Sequence, residues 1–199
     1  MTAHTRERTT LAAVVIATDR RVALLDRILD SIQDCDECVI VGNWPANTSR
    51  VDYRYYQVPG ITHTTLDALM RRDVGWIVTD ADAVLFLSDD HRLDPGFVPA
   101  YHAHYATDQS WDFLGPTRYT VRDGQRIWLN NGRDEQYIGG HGGIYRRRCA
   151  RALPWMTAPH HPNWDLLHAH LLQQQGLRLR HADRDVAIED IEPGAQPWK

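Results

Sequence analysis

Three uninterrupted apolar runs limit what this chain can fold into: LAAVVIAT (11–18), ECVIVG (37–42) and AVLFLS (83–88). A strand with one wet face alternates polar and apolar residues, whereas a strand covered on both faces need not. These runs do not alternate and are rich in β-branched residues, so they predict buried parallel strands. Between the first two lies TDRRVALLDRILDSIQDC, in which Leu25, Ile28, Leu29 and Ile32 fall at helical spacing. DYRYYQV (52–58) predicts a further strand, stopped by Pro59 and Gly60. A second helix is expected from Thr64, with Asp67 completing a weak capping box. Leu66, Leu69, Met70, Val74 and Ile77 carry its phase to about Thr79, with Gly75 inside it. The order is β-α-β-β-α-β, which predicts an α/β fold with a mostly parallel sheet and flanking helices.

With 199 residues this is a single compact domain, expected over 11–190, with tails at 1–10 and 191–199. The opening MTAHTRERTTLAAVVIA has the outline of a leader. Its apolar run meets Asp19, Arg20 and Arg21 without a cleavage signal, and a strand is expected instead. No run reaches membrane-spanning length. The net charge of -4 argues against non-specific coating of nucleic acid. Three cysteines provide no disulfide framework and suit a reducing, cytoplasmic setting.

The second half is less regular. Asp94-Pro95 predicts an N-cap and first-turn pair for a helix over 97–105. YTVRDGQRIWL (119–129) predicts a hairpin turning at Asp123-Gly124. IGGHGGIY (138–145) is a glycine-rich loop entering a short strand, and a helix is expected over 146–153. Asn163 is expected to cap a last helix over 164–175, ended by Gly176. LRLRHADRDVAIEDIEPG closes as strand and tail.

Ligands of open α/β sheets bind beyond the carboxyl ends of the strands. There the third apolar run passes into SDDHRLDPGF, placing Asp89 and Asp90 at a strand end. Two carboxylates in that position either hold a divalent cation that neutralises phosphate, or form a polar turn. Oxygen donors favour Mg²⁺ or Mn²⁺ over zinc.

The element order with Ser88-Asp89-Asp90 and the following LDPGF resembles the GT-A glycosyltransferases, family-2-like members in particular. Ser88 stands where the first acid of their DxD-type triplet is expected. The resemblance spans about residues 11–190 and implies a Rossmann-like nucleotide-sugar fold, with a nucleotide-sugar half (11–95) and an acceptor half (96–190). It implies a metal-dependent, inverting transfer of sugar from a nucleoside-diphosphate sugar, such as a UDP-sugar, to an acceptor hydroxyl. Asp90 is then a ligand of Mn²⁺ or Mg²⁺, and Asp190 (or Glu189) stands in for a further ligand near the C-terminus. Thr18, Asp19 and Arg21 after the first strand, Asn43 after the second, and Asp89 would meet the nucleotide sugar. The usual acid after the second strand is absent, which leaves the base open. Asp165 aligns with the general base, although any helix favours an acid in its first turn. His141, Tyr145 and Trp164 would lie on the acceptor side.

Other features stay open between structure and function. Cys35-Asp-Glu-Cys38 closes a helix rather than opening one, which disfavours a redox dithiol. His168 and His170, two apart on a helix, point to different faces and make a poor chelate. Trp111, Trp128, Trp155 and Trp164 serve either as core or as stacking platforms. Arg146, Arg147, Arg148, Arg151, Arg178, Arg180 and Arg184 are either a solvated face or a surface for an anionic acceptor, DNA included. The acceptor class is open: protein, glycan, small molecule or modified DNA base. The rival readings are a nucleotidyltransferase, which lacks its glycine-rich loop here, and a non-catalytic nucleotide- or carbohydrate-binding module.

Overall fold

The computed structural model describes residues 9–18, 21–42, 53–58, 64–129, 142–155 and 164–191. Leu11–Ala17 form β1, every residue of it buried. Val22–Ile32 form α1, Glu37–Gly42 β2, Arg54–Gln57 β3, Thr64–Val78 α2 and Ala83–Ser88 β4. β1 pairs in parallel with both β2 and β4, and β2 in parallel with β3.

The unbroken apolar runs are explained by what covers them. Ala13, Val15, Leu85 and Leu87 pack on one side of the sheet with Leu25, Ile28, Leu29 and Ile32 of α1. Ala12, Val14, Val84 and Phe86 pack on the other side with Leu69 and Trp76 of α2. Successive strand residues face opposite ways, so a sheet between two helical layers needs apolar residues at every position.

Gly75 allows the close approach of α2. A Cβ there would stand 2.6 Å from Val14 Cγ1 and 3.1 Å from Phe86 Cε1. This contact also resets the helix phase: Trp76 is buried at 6% exposure, and Ile77, expected in the core stripe, is 80% exposed.

The remaining elements are β5 (His91–Leu93), α3 (Phe97–His104), β6 (Phe113–Gly115), β7 (Thr117–Arg122), β8 (Gln125–Trp128), β9 (Ile144–Arg146), α4 (Arg147–Ala152), α5 (Trp164–Gln174), β10 (Leu179–His181) and β11 (Ala187–Asp190). Two sheets result among the described residues. The larger runs β10-β6-β9-β4-β1-β2-β3, and the smaller β5-β11-β7-β8. β9 lies antiparallel between β4 and β6, so the large sheet is mostly but not wholly parallel. The β7–β8 hairpin turns at Asp123 and Gly124, both at positive φ, as its Asp-Gly signal requires.

Two expectations are corrected. Asp94 does not cap α3; the helix starts after Gly96 at φ 90, and the Asp94 carboxylate accepts from Tyr119 and Arg126 instead. Thr9 and Thr10, expected in a tail, are tied to the fold through the Ala106 carbonyl and the Asp82 carboxylate. Among the described residues no helix is long and apolar enough to cross a membrane.

Candidate functional site

The register Ile16↔Ser88 brings the carboxyl ends of β1 and β4 side by side. Thr18, just past β1, therefore meets Asp89, just past β4. Its backbone N–H and its hydroxyl both donate to Asp89 Oδ2, at 2.6 and 2.5 Å. Arg21, at the start of α1, sets Nη1 2.8 Å from Asp89 Oδ1 and 3.1 Å from Asp90 Oδ2. The three side chains are only 10%, 5% and 12% exposed. Two neighbouring carboxylates this shielded repel each other, and the guanidinium offsets that repulsion.

The second sheet supplies a third acid. β11 runs antiparallel to β5 with Asp190 opposite His91, and the Ile191 N–H donates to the Asp90 carbonyl at 2.9 Å. Side chains alternate along a strand, so Asp190 and Glu189 part company. Glu189 bonds Arg92 and Tyr119. Asp190 joins Arg118, whose Nη2 is 3.3 Å from Asp190 Oδ2 and 2.7 Å from His91 Nε2. A guanidinium only donates, so His91 Nε2 accepts and its proton sits on Nδ1. That Nδ1 lies 2.6 Å from Asp90 Oδ1.

Asp190 Oδ1 is buried with no hydrogen-bond partner among the described residues. Among those residues no three His, Cys, Asp or Glu side chains form a ready metal cage. Mg²⁺ and similar hard cations often use one or two carboxylates and complete their shell with phosphate oxygens and water. Asp90 and the orphaned Asp190 oxygen fit such a cation; Asp89, already held by Thr18, fits less well.

The glycine-rich segment tucks against these elements. Gly142 has φ 103, and a Cβ there would stand 2.5 Å from Ile188 of β11. Gly143 accepts from the Phe86 N–H, and a Cβ on it would collide with the Tyr145 ring at 2.6 Å. Tyr145 itself is 1% exposed, stacked on Phe113 and edge-on to Trp155. It is a core residue with no surface to offer an acceptor.

Asp165 lies in the first turn of α5, partly exposed. It interacts electrostatically with Arg72 of α2, a wholly buried cation that sequence reasoning missed. Burial lowers Arg72 to about 10, and the negative charge of Asp165 is among the influences opposing the shift. Arg72 also lies over Trp155, 5.5 Å from the ring centroid. Trp155 in turn stacks on His168, one helical turn beyond Asp165, with centroids 3.7 Å apart. Arg71, also buried, donates to the Ala17 carbonyl at the end of β1. A charged residue inside a helix's apolar face leaves no signal in its periodicity.

Asp19, Asn43 and His141 lie outside the described residues, as does the side chain of Trp164, the first residue of α5. Several of the other candidates have structural roles. Cys35, Cys38 and Cys149 are free thiols; burial raises all three, Cys38 to about 11 and Cys149 to about 12, so none is a ready thiolate. Arg147 bonds the carbonyls of Trp76, Thr79 and Ala81 at the end of α2. Arg148 and Arg178 pair with Asp112, and Arg180 with Asp108. A hollow of about 700 Å³ lined by Asp82 and Arg146 to Arg148 opens at the amino ends of β1 and β4, the opposite side from the acid pair.

No family model matches the sequence, and no curated protein matches it. Solved structures do. GalNAc-T7, determined with UDP, GalNAc and Mn²⁺, superposes with a TM-score of 0.67 at 10% identity, over 94% of this chain. The fold is GT-A. The mannosyltransferase PcManGT from Pyrobaculum calidifontis, in complex with GDP-Man and Mn²⁺, superposes with a TM-score of 0.62 at 13% identity, over 96% of this chain. The chain spans 44% and 59% of those two proteins. The likeness is one of GT-A architecture.

Proposed function

We propose that the protein is a metal-dependent glycosyltransferase, moving a sugar from a nucleoside-diphosphate sugar to an acceptor hydroxyl with inversion. The observation that carries this reading is the acid pair beyond β4, held by Thr18 and Arg21 from the end of β1, on a GT-A fold. Both similar structures contain Mn²⁺ and a UDP or GDP ligand, which supports the donor class.

In this reading the nucleotide sugar lies across the ends of β1, β2 and β4, against Thr18, Asp19, Arg21, Asn43 and Asp89. Asp90 and Asp190 hold Mn²⁺ or Mg²⁺. When bound, the cation supplies positive charge for the departing diphosphate. Asp165, in the first turn of α5, removes the acceptor's hydroxyl proton. The acceptor oxygen bonds to the anomeric carbon, the bond from that carbon to phosphate breaks, and the nucleoside diphosphate leaves. His141 and Trp164 lie on the acceptor side; Tyr145 has no part. The acceptor class is not narrowed by the Arg-rich segments, whose guanidiniums largely bond within the chain.

The test is a thermal-shift panel of UDP- and GDP-sugars with and without Mn²⁺. One nucleotide sugar should raise the melting temperature only when Mn²⁺ is present. A flat response across the panel contradicts the proposal.

A further inference from the structure

Arg21 occupies the place where an incoming cation has most to gain. Its Nη1 bridges Asp89 Oδ1 at 2.8 Å and Asp90 Oδ2 at 3.1 Å, with the guanidinium nine-tenths buried. The two acids are not held alike. Asp89 Oδ2 receives two donors from Thr18, one of them main-chain, so Asp89 is anchored whatever Arg21 does. Asp90 has the bridging guanidinium on Oδ2 and the His91 ring beside Oδ1. A divalent cation on Asp90 would stand within a few ångströms of the Arg21 charge, in a site where water screens poorly. Both cannot remain there at low cost.

We propose that Arg21 is the resident counter-ion of the acid pair and gives up Asp90 when the cation arrives, turning its guanidinium to the donor's diphosphate. The inference rests on the glycosyltransferase reading for the identity of that diphosphate. It assigns Arg21 two successive partners and makes cation and nucleotide binding mutually dependent. In the empty site Arg21 competes with the cation. In the loaded site it replaces the lost carboxylate with phosphate oxygens, for which a guanidinium's forked donors are well suited. Arg21 is placed for this exchange at the start of α1, where no side chain caps the first turn among the described residues.

The exchange predicts opposite effects from one substitution. Mn²⁺ binding to the nucleotide-free protein, followed by the paramagnetic signal of free Mn²⁺, should tighten on the order of tenfold in Arg21→Gln, a typical size for coupling between sites. UDP binding in saturating Mn²⁺ should weaken in the same variant. Arg21→Lys, which keeps the charge, should bind Mn²⁺ like the wild type. The double variant Arg21→Gln/Asp90→Asn should lose the gain, because the gain arises at Asp90. Arg21→Met serves as a second neutral variant if Arg21→Gln does not melt cooperatively. Unchanged or weaker Mn²⁺ binding in a folded neutral variant, or a gain that survives loss of Asp90, overturns the proposal. A wild-type protein that binds no nucleoside-diphosphate sugar sinks the glycosyltransferase reading instead, and the nucleotide-free Mn²⁺ comparison still stands by itself.

Discussion

Thr18 directs both of its donors at one oxygen of Asp89, the main-chain N–H at 2.6 Å and the hydroxyl at 2.5 Å. This pairing fixes the end of β4 to the end of β1. Thr18→Val keeps the N–H and the side-chain shape but removes the hydroxyl. A hydrogen bond to a charged, shielded acceptor is worth about 2 kcal/mol. Urea unfolding of Thr18→Val should show a loss near that size, accompanied by a raised KM for the donor.

Asp165 carries the proposed proton-removing role, and it interacts electrostatically with Arg72 of α2. Asp165→Asn should lower kcat by roughly 10²–10⁴-fold, the usual contribution of a positioned base. The KM for the donor should change little, because the proposed donor site lies across the ends of β1, β2 and β4. Steady-state kinetics separate the two. A donor KM that rises with kcat unchanged would reassign Asp165 to binding.

His168 couples stability to acid. Burial pushes it down from 6.5 to about 4; its bond to the Leu153 carbonyl opposes the shift and the Arg72 charge adds to it. Above pH 6.5 the imidazole is neutral in both folded and unfolded chains and contributes nothing. Between pH 6.5 and about 4 the unfolded chain takes up a proton that the folded protein refuses. Stability therefore falls across that window, by up to about 3 kcal/mol. His168→Phe, which keeps a ring against Trp155, should flatten this part of the pH profile in urea unfolding measured from pH 7.5 to 4.5.

Gly75 gives a purely structural prediction. Alanine there places a methyl 2.6 Å from Val14 Cγ1, in a sheet covered on both faces. The gain in helix propensity is about 1 kcal/mol, and overpacking costs about 1–3 kcal/mol. Gly75→Ala should lower the melting temperature; a rise would mean that α2 can move off β1 without loss.

The parallel core of the large sheet was legible because β1, β2 and β4 are nearly continuous apolar runs, and α1 because its stripe has unbroken phase, whereas β6 carried no such signal. Of the small sheet only the β7–β8 hairpin was legible, from its Asp123-Gly124 turn; the pairing of β5 with β11 was not. His91–Leu93 and Ala187–Asp190 are short and charged, and their partners lie far apart in sequence: Arg92 meets Glu189 across 97 positions. Reading Asp94 as a helix cap followed from local preference, whereas a distant tyrosine and arginine claim its carboxylate. The same gap limited the site. The acid pair could be picked out from its strand, but that Asp190 comes to lie opposite His91 depends wholly on the pairing of β5 with β11. Arg71 and Arg72 stayed hidden because charge inside a helix's packed face contradicts the pattern used to find that face. Tyr145 was misjudged for a related reason: glycines beside an aromatic suggested an open loop, whereas Gly143 packs directly against the buried Tyr145 ring.

The central claim is that Asp90 holds a cation that serves a departing nucleoside diphosphate. The most direct measurement is the release of nucleoside diphosphate from the nucleotide sugar that the protein binds, with Mn²⁺ present, by the wild type and by Asp90→Ala. The account predicts slow but steady release by the wild type, lost on chelation of Mn²⁺, and at least about 10²-fold slower release by the variant. Equal release by the two proteins, or none by a wild type that binds the nucleotide sugar, would contradict it.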